Sequence, residues 1–286
     1  MYFEQKHRIA VWGVSALVGV LVATIPLTLG LYAPQQPYLV PLNQKANNAI
    51  ALGLVTALAF PAVVEISNYR RSRQVDRNVP RLLRDIAEAV RSGVALPKAL
   101  EEASQRDYGP ISPELKRSIS MFVLGESWQD CLRSLAERLR RPSVLRLSTV
   151  LTEAHQMGGR IVEVLETSIS LFQSLDEYRE ERRNNMRPYI VTMYVAAFIF
   201  LVIARVVLSQ FLAPLCQVSD AAGEYDLLTG VLEIKFYTSV LFWASIIESF
   251  FSGLIAGKIG EGSLSAGLYH SVILIVLTLI FFNVSL

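Results

Sequence analysis

The sequence predicts an all-α, polytopic membrane protein with about five transmembrane helices and a cytoplasmic six-helix domain, and three observations carry that prediction. Of 286 residues, 52% are hydrophobic and only 18% charged, with a mean hydropathy of +0.39, which is too apolar for an ordinary soluble domain. The charge is confined to one block: residues 67 to 188 hold 21 of the 27 Lys and Arg and 17 of the 25 Asp and Glu. Within that block the apolar residues recur at three and four, and no strand alternation appears. The chain therefore divides into an N-terminal transmembrane pair (1–66), a cytoplasmic helical domain (67–188) and a C-terminal three-helix transmembrane region (189–286).

A bilayer core of roughly 30 Å is crossed by about 20 apolar residues in a helix. Ile9 to Leu31 runs without a charge, and Ala46 to Ile66 follows a short Pro-rich loop. Tyr189 to Leu215, Phe236 to Ala256 and Ser271 to Leu286 form the second cluster; the last has no polar face, which fits burial in lipid or in a helical bundle. The first run is longer than the apolar stretch of a signal peptide and lacks a small-x-small cleavage site after it, so it reads as a retained helix. Lys6 and Arg8 precede the first span, whereas the loop 32–45 carries only Lys45 and the loop 216–235 is acidic. By the distribution of Lys and Arg, the N-terminus and the charged block are cytoplasmic and the C-terminus lies outside. Cys131 and Cys216 then fall in opposite compartments, which predicts no disulfide.

Six helices fill the charged block. The first starts at Pro80, presents Val79, Leu82, Leu83, Ile86 and Val90 on one face and stops at Gly93. The second starts at Pro97 and precedes the turn Asp107-Tyr-Gly-Pro110. The third starts at Ser112-Pro113 and ends at Gly125. Ser127 and Asp130 make a capping box for the fourth. Pro142-Ser143 opens the fifth, which Gly158-Gly159 closes. The sixth carries Ile161, Leu165, Ile169 and Phe172 and continues through the charged stretch Asp176 to Arg187 into the third span at Pro188.

Motifs for chemistry are missing from the sequence. Gly253-Leu-Ile-Ala-Gly257-Lys258-Ile259 has one residue too few between its glycines for a phosphate loop, and Ile where Ser or Thr reaches magnesium. His7, His155 and His270 lack zinc-ligand spacing, so no metal or cofactor is expected. No Gly-x-Ser-x-Gly elbow occurs. The ionisable residues within the spans are Glu65 and Arg205, read as interfacial anchors, and Glu248, counted past mid-bilayer and a candidate for coupling within the bundle. By that count Arg205 lies too far from Glu248 in depth to be its partner.

The order of motifs carries a resemblance. Val79 to Leu100 with its Gly93, then Glu114-Leu115, then Gly125-Glu-Ser-Trp-Gln-Asp-Cys-Leu132, then Glu153-Ala-His-Gln-Met-Gly-Gly159-Arg-Ile-Val-Glu-Val-Leu165, all ahead of a membrane span, resemble the F domain of type II secretion and type IV pilus platform proteins. Ser252 to His270 is similar to the corresponding end of archaeal members. The single F domain, and His155-Gln-Met where the bacterial secretion branch has a Glu, place the resemblance on the archaeal and Tad-type side and imply no metal site.

The resemblance implies an assembly platform of the cytoplasmic membrane, with no catalysis of its own. It would couple a hexameric secretion or pilus ATPase to the extraction of pilin subunits and their addition to a filament. A second F-domain subunit, self or paralogue, is implied as a partner. Candidate contacts to the ATPase or that partner are Arg138, Arg140 and Arg141, together with Gly257, Lys258 and Gly260 in a stretch read as a cytoplasmic loop, Gly257 to His270. The arginines from Arg70 to Arg84 suit lipid headgroups, and no base-reading motif points to nucleic acid. The alternative class is a small transporter or channel, against which stand the few deep charges and the absence of a broken-helix repeat.

Overall fold

The computed structural model describes residues 5–30, 40–214 and 234–285. Its helices are α1 (Gln5–Thr28), α2 (Gln44–Arg91), α3 (Leu96–Ser104), α4 (Ser112–Val123), α5 (Trp128–Leu139), α6 (Pro142–Met157), α7 (Ile161–Val206), α8 (Ile234–Glu261) and α9 (Leu264–Ser285). A π-helical turn, Val207–Leu212, follows α7. Among the described residues there is no strand, and α1, α2, α7, α8 and α9 are long and apolar enough to cross a membrane. The chain is an all-α polytopic membrane protein.

Two compact units divide it: residues 68–184, and residues 1–67 with 185–286. The first is a water-type helical domain. Leu82, Leu83, Leu100, Ile111, Leu135 and Leu147 are fully buried at its centre, each removing about 1.5–3 kcal/mol of apolar exposure from water. Its helices stop where the sequence predicts. Gly93 (φ 95°) and Gly125 (φ 103°) take the left-handed conformation after α2 and α4, and the next residues' amides bond back to Ala89 and Met121. Ser127 caps α5 by accepting from the Asp130 amide at 3.1 Å, as the capping signature requires.

Two sequence expectations are corrected. Pro80 does not begin a helix: the second span and the first helix of the charged block are one 48-residue helix, α2. The reason is visible in burial, because Val75 and Val79 are as buried as Leu82 and Ile86 and extend the same stripe upstream of the proline. The stretch Gly257 to His270 is not a loop either. Helix α8 runs to Glu261 and α9 starts at Leu264, leaving a two-residue turn in which Gly262 has φ 74°. The predicted Cys131–Cys216 separation rests partly on Cys216, which lies outside the described residues; Cys131 is a buried free thiol.

Candidate functional site

In the helical unit the three candidate arginines occupy one corner, the α5–α6 turn, and do three different things. Arg140 ends α5 in the left-handed conformation (φ 49°), with its amide bonded to the Ala136 carbonyl at 2.9 Å and its side chain exposed. Arg141 pairs with Asp76 of α2, whose carboxylate also accepts from the Ser143 hydroxyl. That half-buried acceptor, 14% exposed, joins the α5–α6 turn to α2. Arg138 bends back onto its own helix, donating to the Ser134 carbonyl at 3.2 Å, and reaches α4 at Met121 Sδ (3.3 Å) and Glu114 (3.8 Å). Of the three, Arg140 alone presents its guanidinium to solvent without a described partner.

A second charged surface lies on α2. Arg70, Arg77, Arg81 and Arg84 are exposed and recur at seven, four and three, so they share one helix face. Arg81 stacks over the ring of Tyr108, 5.6 Å from its centroid. Tyr108 itself is fully buried and donates its hydroxyl to Asp85 at 2.6 Å; burial first, and then that carboxylate, push the hydroxyl well above the ordinary phenol range, so it stays a donor. Burial likewise raises the Cys131 thiol, with Glu126 and Asp130 adding to it, so this cysteine is inert rather than nucleophilic. From Gln173 to Asn184, α7 buries no residue, which leaves its charged run a solvated face.

In the membrane unit the predicted glycines turn out to be helix contacts. A Cβ on Gly257 would lie 2.1 Å from Gly267 Cα, one on Gly253 would lie 2.2 Å from the Ser271 amide nitrogen, and one on Gly260 would meet the Ile190 side chain at 2.4 Å. These glycines have ordinary helical φ, so the reason for glycine is close approach of backbones and not a forbidden angle. Hydroxyls complete the seam: Ser249 and Thr278 bond at 2.8 Å, and Ser271 donates to the Phe250 carbonyl at 2.8 Å. Lys258 is exposed on the other side of α8. The structure therefore separates Gly257 and Gly260, which face neighbouring helices, from Lys258, which does not.

Glu248 is half-buried and accepts from the Ser252 hydroxyl at 2.9 Å. Glu65, read as an anchor reaching water, is instead 6% exposed and bonded by Arg8 Nε at 2.9 Å and Nη2 at 2.6 Å, a pair tying α1 to α2. Three further features lay beyond the sequence reading. Asn47 is fully buried, donates to the Pro41 carbonyl and Ser239 hydroxyl and accepts from Trp243 Nε1 at 2.9 Å. A second glycine seam joins Gly19 of α1 to Gly53 and Ala57 of α2. Tyr194 and His270 Nδ1 lie 2.7 Å apart, joining α7 to α9. The small-residue spacing Gly19, Gly53 and Ala57 was a readable signal; the partners of Asn47 and His270 were not, since they are 196 and 76 residues away.

Residues 82–209 match the family described as type II secretion system (T2SS), protein F. An uncharacterized protein of Methanocaldococcus jannaschii is 25% identical over 211 residues, which are 73% of this chain and 34% of that protein. The chain thus spans about a third of the length of the relative it matches. No solved structure matches the chain.

Proposed function

We infer a function from the premise that residues 82–209 of this chain are a type II secretion system protein F domain. The chain is the cytoplasmic-membrane assembly platform of a type IV pilus or type II secretion-like machine of the archaeal or Tad type. It couples a hexameric ATPase to the extraction of pilins from the bilayer and their addition to a filament, and it performs no chemistry itself. A second F-domain subunit completes the platform.

The observation that carries the reading is where the F-domain match lies. It starts in the soluble-type core at Leu82 and ends inside the π-helical turn of the third apolar helix, at Ser209. One family domain thus includes both charged helices and a membrane span, the composition expected of a part that receives motion in water and delivers it in lipid. The Lys and Arg at the N-terminus and in residues 68–184, against the acidic stretch 216–235, support a cytoplasmic F domain and an outside C-terminus. Arg70, Arg77, Arg81 and Arg84 suit anionic headgroups at about 1 kcal/mol each.

Deleting the chain tests the reading. Cells lacking it are expected to lose surface filaments while mature pilin accumulates in the cytoplasmic membrane, and a plasmid-borne copy restores assembly. In the same background, a cysteine replacing the exposed Gln105, with Cys131 and Cys216 changed to Ser, is expected to react with an impermeant maleimide only after cells are broken. Normal filaments in the deletion strain, or labelling of intact cells, would overturn the proposal.

A further inference from the structure

The soluble-type unit has one end that carries no chain connection. Its chain enters at Asn68 on α2 and leaves at Asn184 on α7. Arg91 near the end of α2 pairs with Glu166 near the start of α7, so within the unit the two helices run antiparallel and both connections lie at the other end. Asp76, close to the connected end, holds Arg141 and Ser143 at the start of α6. From there α6 runs for 16 residues, about 24 Å at the α-helical rise. Met157, at its finish, leads into α7 at the free end of the unit.

Ring contacts gather three elements there. Phe122 of α4 meets Trp128 of α5 edge-on at 5.4 Å, and Trp128 meets His155 of α6 at 5.0 Å. Trp128 is buried and its indole N–H donates to the Leu151 carbonyl at 3.2 Å, so this aromatic floor is fixed. Beside it Val123, Leu124 and Met157 are 69%, 86% and 53% exposed. Leu124 closes α4 through its backbone amide, bonded to the Ser120 carbonyl, while its side chain stands in water. One exposed apolar residue is ordinary; three at one corner, around a rigid aromatic floor, mark a contact site.

The charges of this corner leave one sign unpaired. Arg160 is paired with Glu163 at 2.8 Å, whereas Glu126, Asp130 and Glu153 are exposed and form no ion pair among the described residues. Glu126 and Asp130 flank Trp128 in the sequence, and Glu153 shares a helix face with Met157, four residues on. An apolar corner with an acidic rim fits a protein surface that offers an apolar hollow edged by Lys or Arg. Anionic headgroups would be repelled by the same rim.

We propose that this corner is the anchor by which the chain holds the hexameric ATPase, with Leu124 and Met157 seated in an apolar, basic-edged hollow of that partner. The proposal rests on the platform reading and adds the surface of contact. Arg140 lies at the connected end, next to the Arg141–Asp76 pair, and has a separate part. Charge there sets how fast the partners meet, whereas a desolvated apolar anchor sets how slowly they part.

The test follows association and dissociation of the cognate ATPase on the full chain in lipid nanodiscs. Leu124→Asp and Met157→Asp are each expected to raise the dissociation rate about tenfold or more, as loss of an interface hot spot does, with the urea midpoint of the soluble-type unit unchanged. Leu124→Met is expected to keep the native rates, and Arg140→Glu to slow association only. With Cys131 and Cys216 changed to Ser, Leu124→Cys carrying a benzophenone maleimide is expected to photo-cross-link to the ATPase. Native dissociation rates in the Asp variants, a urea midpoint that falls together with binding, or cross-links to a second copy or to lipid alone would overturn the proposal and leave the platform reading standing. A native chain that binds no ATPase would overturn both.

Discussion

The two units of this chain are both helical, yet they are held together by different physics. In the soluble-type unit the fully buried residues are large: Leu82, Leu83, Ile86, Leu100, Tyr108 and Leu135. Among its described residues the buried polar ones are four serines, Ser104, Ser118, Ser143 and Ser148. In the membrane unit the helices approach until glycine is required, at Gly253, Gly257 and Gly267, and buried polar groups are many and paired, among them Asn47, Glu65, Ser249, Ser271 and Thr278. Water explains the difference. The soluble-type unit gains from moving bulk apolar surface out of water, whereas lipid tails are as apolar as Leu, so association in the bilayer depends on close packing and interhelical hydrogen bonds.

The sharpest way to break that comparison is to add volume in one unit and remove it in the other. Gly257→Val places branched carbon where Gly267 Cα stands, a backbone contact that no rotamer relieves. It is expected to separate α8 from α9 and to lower the thermal stability of the detergent-solubilised chain more than any other single change considered. Leu135→Ala removes a fully buried side chain from the other core and is expected to cost about 2–5 kcal/mol, read from chemical denaturation. If Gly257→Val were the milder of the two, the seam would not be a packing interface.

These contrasts also mark what was legible in the sequence. The five spans follow from apolar run length alone, and the helices of the charged block follow from punctuation such as Ser127, Gly93 and Gly125. The same punctuation misled in the membrane unit. Glycines from Gly257 onward read as a loop by the rules for water, but in lipid the backbone satisfies itself only as helix and glycine becomes a contact residue. Pro80 read as a helix start, although Val75 and Val79 already carried the buried stripe. Arg138 and Arg141 read as surface charge because their partners, Glu114 and Asp76, come from other helices and no local pattern announces such a pair.

A milder pair of substitutions sharpens the comparison at the level of single hydroxyls. Ser127→Ala removes the cap of α5 in the soluble-type unit and is expected to cost about 1 kcal/mol. Ser249→Ala removes the bond to Thr278 in the membrane unit and is expected to cost about 0.6 kcal/mol, the average for such bonds between membrane helices. Both are read as midpoint shifts, the first by urea and the second by heating in detergent. A much larger loss at Ser249 would mean that hydrogen bonds, more than glycine contacts, hold α8 to α9.

Binding of the ATPase is the most direct test of the platform account. The full chain in lipid nanodiscs is mixed with the cognate hexameric ATPase, and affinity is followed as salt is raised, for the native chain and for Arg140→Glu. Arg140 is chosen because its guanidinium is exposed and, unlike those of Arg138 and Arg141, holds no described part of the fold together. The account predicts binding that weakens steadily with salt and falls about tenfold on charge reversal, the scale of electrostatic steering. Binding that ignores both salt and the reversal would move the contact away from this corner, and no binding under any condition would contradict the account.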